Sequence, residues 1–145
     1  MKRSRWLSMG IAAAVVAITP RGLAAQPRAL GWTEAPASID GDTVVVVAIG
    51  AAHDSDGPLA AARLASRRRG HARGVAMIQR WADDALAAMS AGPREAQSVH
   101  DAIDRAAVTA RVRARADGSA IVEVRCPLSA LRDAFDHARL PWHRA

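Results

Sequence analysis

Two groups of polar residues in this chain have types and spacings that could do chemistry. His100 and Asp104 lie one helical turn apart, a spacing at which a carboxylate can orient an imidazole for general-base work. Ser98 is the nearest hydroxyl in sequence, but no serine or cysteine is clearly placed as a nucleophile. A surface His–Asp pair therefore explains the spacing better than a catalytic one.

The second group is His53, Asp54 and Asp56, whose side chains are of metal-binding types. Residues 54–57 also imitate the start of a calcium loop, but such a loop needs a glutamate at its twelfth position, where Ala65 stands. Negative charge is favoured near a helix N-terminus. We therefore expect these acids to solvate a loop and interact with the start of the next helix, with no metal and no cofactor.

The remaining candidates for chemistry are one cysteine and one histidine. Cys126 is the only cysteine, so no disulfide forms within the chain. It lies inside a strand pattern, which is typical of a small buried apolar residue rather than of a nucleophile. His71 lies on an apolar helix stripe and is expected to be a partly buried core histidine instead of a ligand. The sequence thus predicts no catalytic residue, and a small exported hydrolase-type enzyme is kept as an alternative.

Three arginines form the candidate interaction surface. Arg111, Arg113 and Arg115 recur with a period of two, which places them on one face of a strand. This arginine face could bind an acidic polymer, lipid headgroups or an acidic partner. Arg67–Arg69 spread over about 200° of a helix and so form no single patch. Glu123 is expected to pair across a hairpin with an outward arginine.

The elements that position these residues follow from hydrophobic periodicity. Residues 43–49 form a β-branched run, which predicts a central strand ended by Gly50. Residues 58–89 predict one long helix, with Gly70 and Gly74 on a flank where another element can pack closely. The predicted apolar stripe consists of Leu64, His71, Val75, Ile78, Ala82, Ala85, Leu86 and Met89.

The second half of the chain predicts a short helix, a hairpin and a terminal helix. Residues 94–103 are expected to form a short helix or a turn, and residues 106–115 and 121–126 form two strands joined by a tight turn at Asp117-Gly118. The last helix begins at Leu128. Its apolar face is Leu128, Leu131, Phe135 and Ala138. The inward residues of the first strand are Ala106, Val108, Ala110, Val112 and Ala114.

This order of elements predicts an α+β fold in two layers. A small antiparallel sheet of about three strands packs against one long helix and one or two short helices. We expect a single domain over residues 43–140. An extended N-terminal arm, residues 26–42, precedes it, and a short tail, residues 141–145, follows it.

The N-terminus predicts export. Lys2, Arg3 and Arg5 precede an apolar run over 7–18, and small residues at 22–25 offer a cleavage site. The run is shorter than the roughly 20 residues of a membrane-spanning helix. We expect residues 1–25 to be a cleaved signal peptide and the protein to be periplasmic or envelope-associated. No cysteine lies at the expected cleavage site, so no lipobox anchor is expected. No transmembrane span is expected after cleavage.

The charge argues against nucleic acid as a partner. The formal net charge is +6, but four of the 20 cationic residues lie in the expected signal, whereas all 14 acidic residues follow it. The mature chain therefore carries 16 cationic against 14 acidic residues, a net charge of +2. A nearly neutral domain lacks the basic surface of nucleic-acid-binding proteins.

Three segments carry a resemblance to a known family. They are the strand end Val46–Gly50, the helix start Ala60–Ala65 continuing to Trp81, and the hairpin Asp117–Val124 running into Pro127-Leu128. Over residues 43–130 the chain resembles the LPP-twenty-like small bacterial envelope lipoproteins. It is also similar to the N-terminal domain of flagellar assembly T-type proteins.

The resemblance implies a non-enzymatic envelope component that works through protein contacts. Envelope or flagellar-base proteins are then the expected partners, and a homo-oligomer is left open. The family offers no catalytic residues to carry over. Many members have a lipobox cysteine and this chain does not, which favours a soluble periplasmic form.

Overall fold

The computed structural model describes residues 33–141, which form four β-strands and three α-helices. The strands are β1 (Ala35–Asp40), β2 (Thr43–Gly50), β3 (Val108–Ala114) and β4 (Ala120–Pro127). The helices are α1 (Leu59–Ala88), α2 (Pro93–Ala106) and α3 (Leu128–His137). The expected signal, residues 1–25, and residues 142–145 of the tail lie outside the described residues.

The strands form one antiparallel sheet in the order β1-β2-β4-β3. The β-branched run is therefore a central strand, as predicted, and it pairs along its whole length with β4: Val44 lies opposite Cys126, and Gly50 opposite Ala120. The predicted hairpin is β3–β4, and its turn contains Gly118 at φ +83°. The α+β class is confirmed, with four strands instead of about three.

The additional strand is β1, which lies in the segment expected to be an extended arm. It pairs with β2 through a two-residue turn whose first residue, Gly41, has φ +62°. A glycine in this position is typical of a type II′ hairpin turn. β1 lies at the sheet edge and is mostly exposed, and an edge strand tolerates Pro36.

Helix α1 packs on the sheet through a row of mostly small residues spaced four apart. The buried row is Ala62, Ser66, Gly70, Gly74, Ile78, Ala82 and Leu86. A Cβ added at Gly70 would lie 2.5 Å from Val122 Cγ2, and one at Gly74 would lie 2.5 Å from Val124 Cγ2. The predicted close approach at these glycines is confirmed.

Part of the predicted apolar stripe is wrong. Leu64 is 51% exposed, and Ala85 is also exposed. The helix turns its small residues toward the sheet because they let the backbones of α1 and the strands come close. The larger Leu64 consequently lies on the side of α1 that faces the solvent.

The end of β2 touches the backbone of α1. A Cβ added at Gly50 would lie 1.7 Å from the Ser66 carbonyl oxygen and 2.5 Å from the Gly70 nitrogen. Ser66 is fully buried and donates a hydrogen bond from its hydroxyl to the Gly118 carbonyl at 2.8 Å. This helix turn therefore holds both β2 and the β3–β4 turn.

One apolar core lies between the helices and the sheet. α2 contributes Val99 and Ile103, and α3 contributes Leu131 and Phe135, all at most 2% exposed. They join the inward residues of β2 and β4 and the C-terminal half of α1 in a single cluster. The predicted two-layer arrangement and the apolar face of the last helix follow from this packing, and Ala138 is half-buried just beyond it.

Length alone would let α1 cross a bilayer, since its 30 residues rise about 45 Å. Its surface away from the sheet, however, carries exposed arginines along its length, including Arg63, Arg68 and Arg80. None of the helices within residues 33–141 is both long and apolar enough to span a membrane.

Candidate functional site

The arginine face lies on the side of the sheet opposite the helices. Val122 points toward α1, so its neighbours Ile121 and Glu123 point the other way. Arg111 lies opposite Glu123 and Arg113 opposite Ile121, which places both arginines on that outer face. Arg115 follows directly after β3, and all three arginines are exposed.

A β-bulge divides β3 and corrects the predicted alternation. The register shifts between Thr109 and Arg111, so Ala110 is an extra residue in the strand. Val108, predicted to face inward, lies opposite Arg125 on the outer face and is 56% exposed. A strictly alternating pattern cannot reveal this inserted residue.

The first strand of the hairpin also starts later than predicted. Ala106 is the last residue of α2, and Ala107 caps that helix. Thr109 faces α1, where its Oγ1 lies 3.0 Å from His71 Nδ1. His71 is half-buried in this contact, which agrees with the expected partly buried histidine.

Glu123 does not pair across the hairpin as expected. Its side chain is 3% exposed, and its Oε1 accepts a hydrogen bond from Arg125 Nε at 2.7 Å, two residues further along β4. Arg125 Nη2 also lies 3.9 Å from Asp40 Oδ2. Within the described residues, Arg111 and Arg113 therefore keep guanidinium groups without an ion-pair partner.

The open edge of β3 adds backbone groups to the arginine face. Among the described strands only β4 pairs with β3. The Arg115 amide donates to the Ser119 carbonyl at 2.9 Å, and such pairs alternate along an antiparallel ladder. Arg113 is thus bonded to β4, whereas Val112 and Ala114 present their amide and carbonyl groups at the open edge.

The edge position of β3 could not be predicted from the sequence, because periodicity does not give the order of strands in a sheet. The one available signal is composition. Besides its arginines and Thr109, β3 carries two alanines and two valines, and Val112 remains 39% exposed although it faces the helix side. A strand with so few large apolar residues is typical of a sheet edge.

The polar loop before α1 is tied to Arg69, in about the third turn of that helix, instead of to its start. Arg69 forms an ion pair with Asp56, with Nη1 lying 3.0 Å from Oδ1. The His53 backbone amide donates to Asp56 Oδ2 at 2.7 Å. The Arg69 side chain and the His53 amide hold the pKa of Asp56 below its usual value. Within residues 33–141 no three metal-binding side chains cluster to hold an ion.

The predicted His100–Asp104 pair is wrong. His100 Nε2 lies 2.7 Å from Asp83 Oδ1 on α1, and Asp104 instead accepts a hydrogen bond from Gln79 Nε2 at 2.9 Å. Both His100 and Asp104 find their partners on α1, because α1 and α2 pack side by side. These contacts link α1 to α2 and do not assemble a His–Asp pair within α2.

Cys126 is fully buried in β4, as predicted. Its thiol makes only a weak 3.9 Å contact to the Pro127 carbonyl oxygen. Burial raises the pKa of the Cys126 thiol from 9.0 to about 11. The thiolate, which is the nucleophilic form, is therefore disfavoured in the folded protein.

This thiol predicts an alkaline loss of stability. Above pH 9 the unfolded thiol loses its proton while the folded one keeps it up to about pH 11, so the free energy of unfolding falls as the pH rises. The slope approaches about 1.4 kcal/mol per pH unit in this window. The chain has no tyrosine and its only lysine is Lys2, so few other groups titrate there.

Urea unfolding from pH 8 to pH 11 measures this effect, with Cys126→Ala as the control. The wild-type free energy of unfolding should fall relative to that of the variant as the pH rises. Parallel curves for the two proteins would contradict the assignment.

Searches against protein families, curated proteins and solved structures found no match to this chain.

Proposed function

We propose that this chain is a non-enzymatic, exported envelope or periplasmic protein that acts through contacts with other proteins, as an accessory of a flagellar or outer-membrane assembly. The observation that carries this proposal is the arginine face beside an open strand edge. Arg111 and Arg113 have no ion-pair partner within the described residues, and among the described strands only β4 pairs with the backbone of β3. The signal-like N-terminus and the family resemblance support export and envelope partners.

The candidate catalytic groups support the non-enzymatic part of the proposal. His100 is held by Asp83, and Asp56 is held by Arg69. Cys126 is a buried thiol with a raised pKa. Each group is engaged in packing or in a contact between elements, which weighs against the alternative of a small hydrolase.

A second candidate function is binding of polyanions or lipid headgroups through the arginine face. The guanidinium groups of Arg111 and Arg113, which have no ion-pair partner within residues 33–141, favour it because they are exposed and share one surface. The two functions differ in what they require. Binding of a polyanion needs the charge alone, whereas contact with a protein strand also needs the edge of β3.

Export and partner contact can be tested together in a Gram-negative host. The full chain with a C-terminal tag should be found in the periplasmic or envelope fraction, and mass spectrometry should show that it begins near Ala25 or Gln26. Crosslinking in intact cells should join it to envelope proteins. Val15→Asp interrupts the apolar run and should retain the uncleaved chain in the cytoplasm, whereas Arg28→Asp, beyond the expected cleavage site, should not.

Two results would contradict the proposed function. One is a wild-type chain that still begins at Met1 and stays in the cytoplasm. The other is an exported chain that forms no protein crosslinks in the envelope, which would favour the polyanion alternative if anionic lipid captures it.

A further inference from the structure

We propose that the open edge of β3 accepts an extended acidic segment of a partner protein as a fifth strand of the sheet. The inference rests on the proposed function and specifies the chemistry of the partner. The segment would pair its backbone with Val112 and Ala114 and place carboxylates on Arg111 and Arg113. Addition of a strand to a sheet edge is a recurrent mode of peptide recognition.

The backbone of β3 provides the first part of the recognition. Its seven residues are mostly exposed and lie at the end of the sheet. The amide and carbonyl groups of Val112 and Ala114 point away from β4, because the intervening Arg113 bonds to it. An incoming strand would satisfy these groups with a regular ladder.

The side chains provide the second part. On the outer face, Arg111 and Arg113 would lie opposite alternate residues of the incoming strand, where acidic residues form favourable cross-strand pairs. Glu123, the carboxylate opposite Arg111, is already bound to Arg125 and leaves the Arg111 charge available. On the helix side, Val112 is 39% exposed and would contact apolar residues. The preferred sequence therefore alternates acidic and apolar residues.

The same arginines argue against a second copy of this chain as the occupant. In an antiparallel β3–β3 pair centred on Val112, Arg111 of each copy would lie opposite Arg113 of the other. Like charges directly opposite each other destabilise strand pairing. Charged residues on an edge strand also commonly prevent edge-to-edge association. A carboxylate-bearing strand removes this repulsion.

Peptide binding to the purified mature chain tests the proposal. The probe is a fluorescent peptide of about seven residues that alternates glutamate and valine, a length typical of a strand. One control peptide carries glutamine in place of glutamate, and another carries N-methyl groups on the amides that would face β3. Fluorescence anisotropy should show saturable binding of the probe. Each control peptide should bind at least about tenfold more weakly.

Variants of β3 separate the charge from the edge. Arg111→Glu with Arg113→Glu should weaken probe binding at least about tenfold, because four units of charge change on the outer face. The matched control is Arg67→Glu with Arg68→Glu, an equal change at exposed positions of α1, which should leave binding unchanged. Val112→Pro should also weaken binding, since it removes an edge amide without removing a bond to β4.

Three outcomes would overturn the inference. The first is equal binding of the probe and the N-methylated peptide, together with capture of the protein by phosphatidylglycerol vesicles. This result would indicate that the arginine face binds polyanions through charge alone. The second is a dimer assembled through β3, detected by sedimentation and lost on Val112→Pro. The third is no peptide binding by an exported chain that still crosslinks to envelope proteins, which leaves the proposed function intact. Retention in the cytoplasm would instead count against the proposed function itself.

Discussion

Replacing Gly50 with alanine will destabilise the fold by about 3 kcal/mol or more, since inserting atoms into a closely packed contact commonly costs 1–3 kcal/mol and here the obstacle is rigid. The added Cβ would lie 1.7 Å from the Ser66 carbonyl oxygen and 2.5 Å from the Gly70 nitrogen. Both are backbone atoms of a long helix, so relief requires β2 or α1 to move. Equilibrium unfolding in urea measures the loss.

Gly92→Ala is the matched control for this substitution. Gly92 has a φ of −78°, which any residue adopts, and its added Cβ would meet only the carboxylate end of Glu95 at 2.6 Å. That side chain can rotate away, and Gly92 is the N-cap of α2, where alanine is less favourable than glycine, so we expect a loss of about 1 kcal/mol or less. Equal urea midpoints for Gly50→Ala and the wild type would contradict the close contact between β2 and α1.

Replacing Arg125 with methionine will leave the Glu123 carboxylate buried without its cation. Removal of one partner from a buried pair commonly costs 3–5 kcal/mol, and since Arg125 is about one-third exposed we expect about 2–3 kcal/mol. The double variant Glu123→Leu with Arg125→Met should recover most of this loss, because no buried charge remains. Urea unfolding of the single and double variants gives the comparison.

Arg113→Met is the control for the loss of an arginine from the same face. Its side chain is exposed and forms no ion pair within the described residues, so stability should change by about 0.5 kcal/mol or less. A cost below about 1 kcal/mol for Arg125→Met would show that the pair with Glu123 contributes only as much as an exposed ion pair does. Arg111, which lies opposite Glu123, is the residue that would then replace Arg125 as the cation beside the Glu123 carboxylate.

The elements with strong periodicity could be predicted from sequence. The β-branched run became central strand β2, and the residues around Asp117-Gly118 became a hairpin, because both patterns reflect burial within short stretches of chain. The long helix was also predictable in extent. The face of α1 that contacts the sheet was harder to predict. The row through Gly70 and Gly74 faces the sheet because it lets the backbones come close, and not because it is the most hydrophobic.

The sheet edges could not be predicted in the same way. β1 is mostly exposed and contains Pro36, so it has no alternating apolar pattern to distinguish it from an extended arm. In β3 the bulge at Ala110 reverses the alternation of inward and outward side chains, and no residue type in the strand indicates the inserted residue. An edge strand has one neighbouring strand, and its sequence is correspondingly less constrained.

The arginine positions could be predicted, but the ion pairs could not. Period-two spacing correctly placed Arg111 and Arg113 on one face. The partner of Glu123 is Arg125 on the same strand, and the partner of His100 is Asp83 on another helix. Long side chains reach several neighbours, and which one they meet depends on the packing of whole elements.

The central position of β2 and β4 also sets an order of assembly. Each belongs to a hairpin that closes locally, whereas their mutual pairing joins Gly50 to Ala120 across a connection that contains α1 and α2. Closing so long a connection carries a larger entropic cost than either hairpin turn. Gly74 lies against both Val46 and Val124, so docking of α1 brings the two hairpins together. We therefore expect the joining of the two hairpins to be the late, slow step of folding, and docking of α1 to enable it.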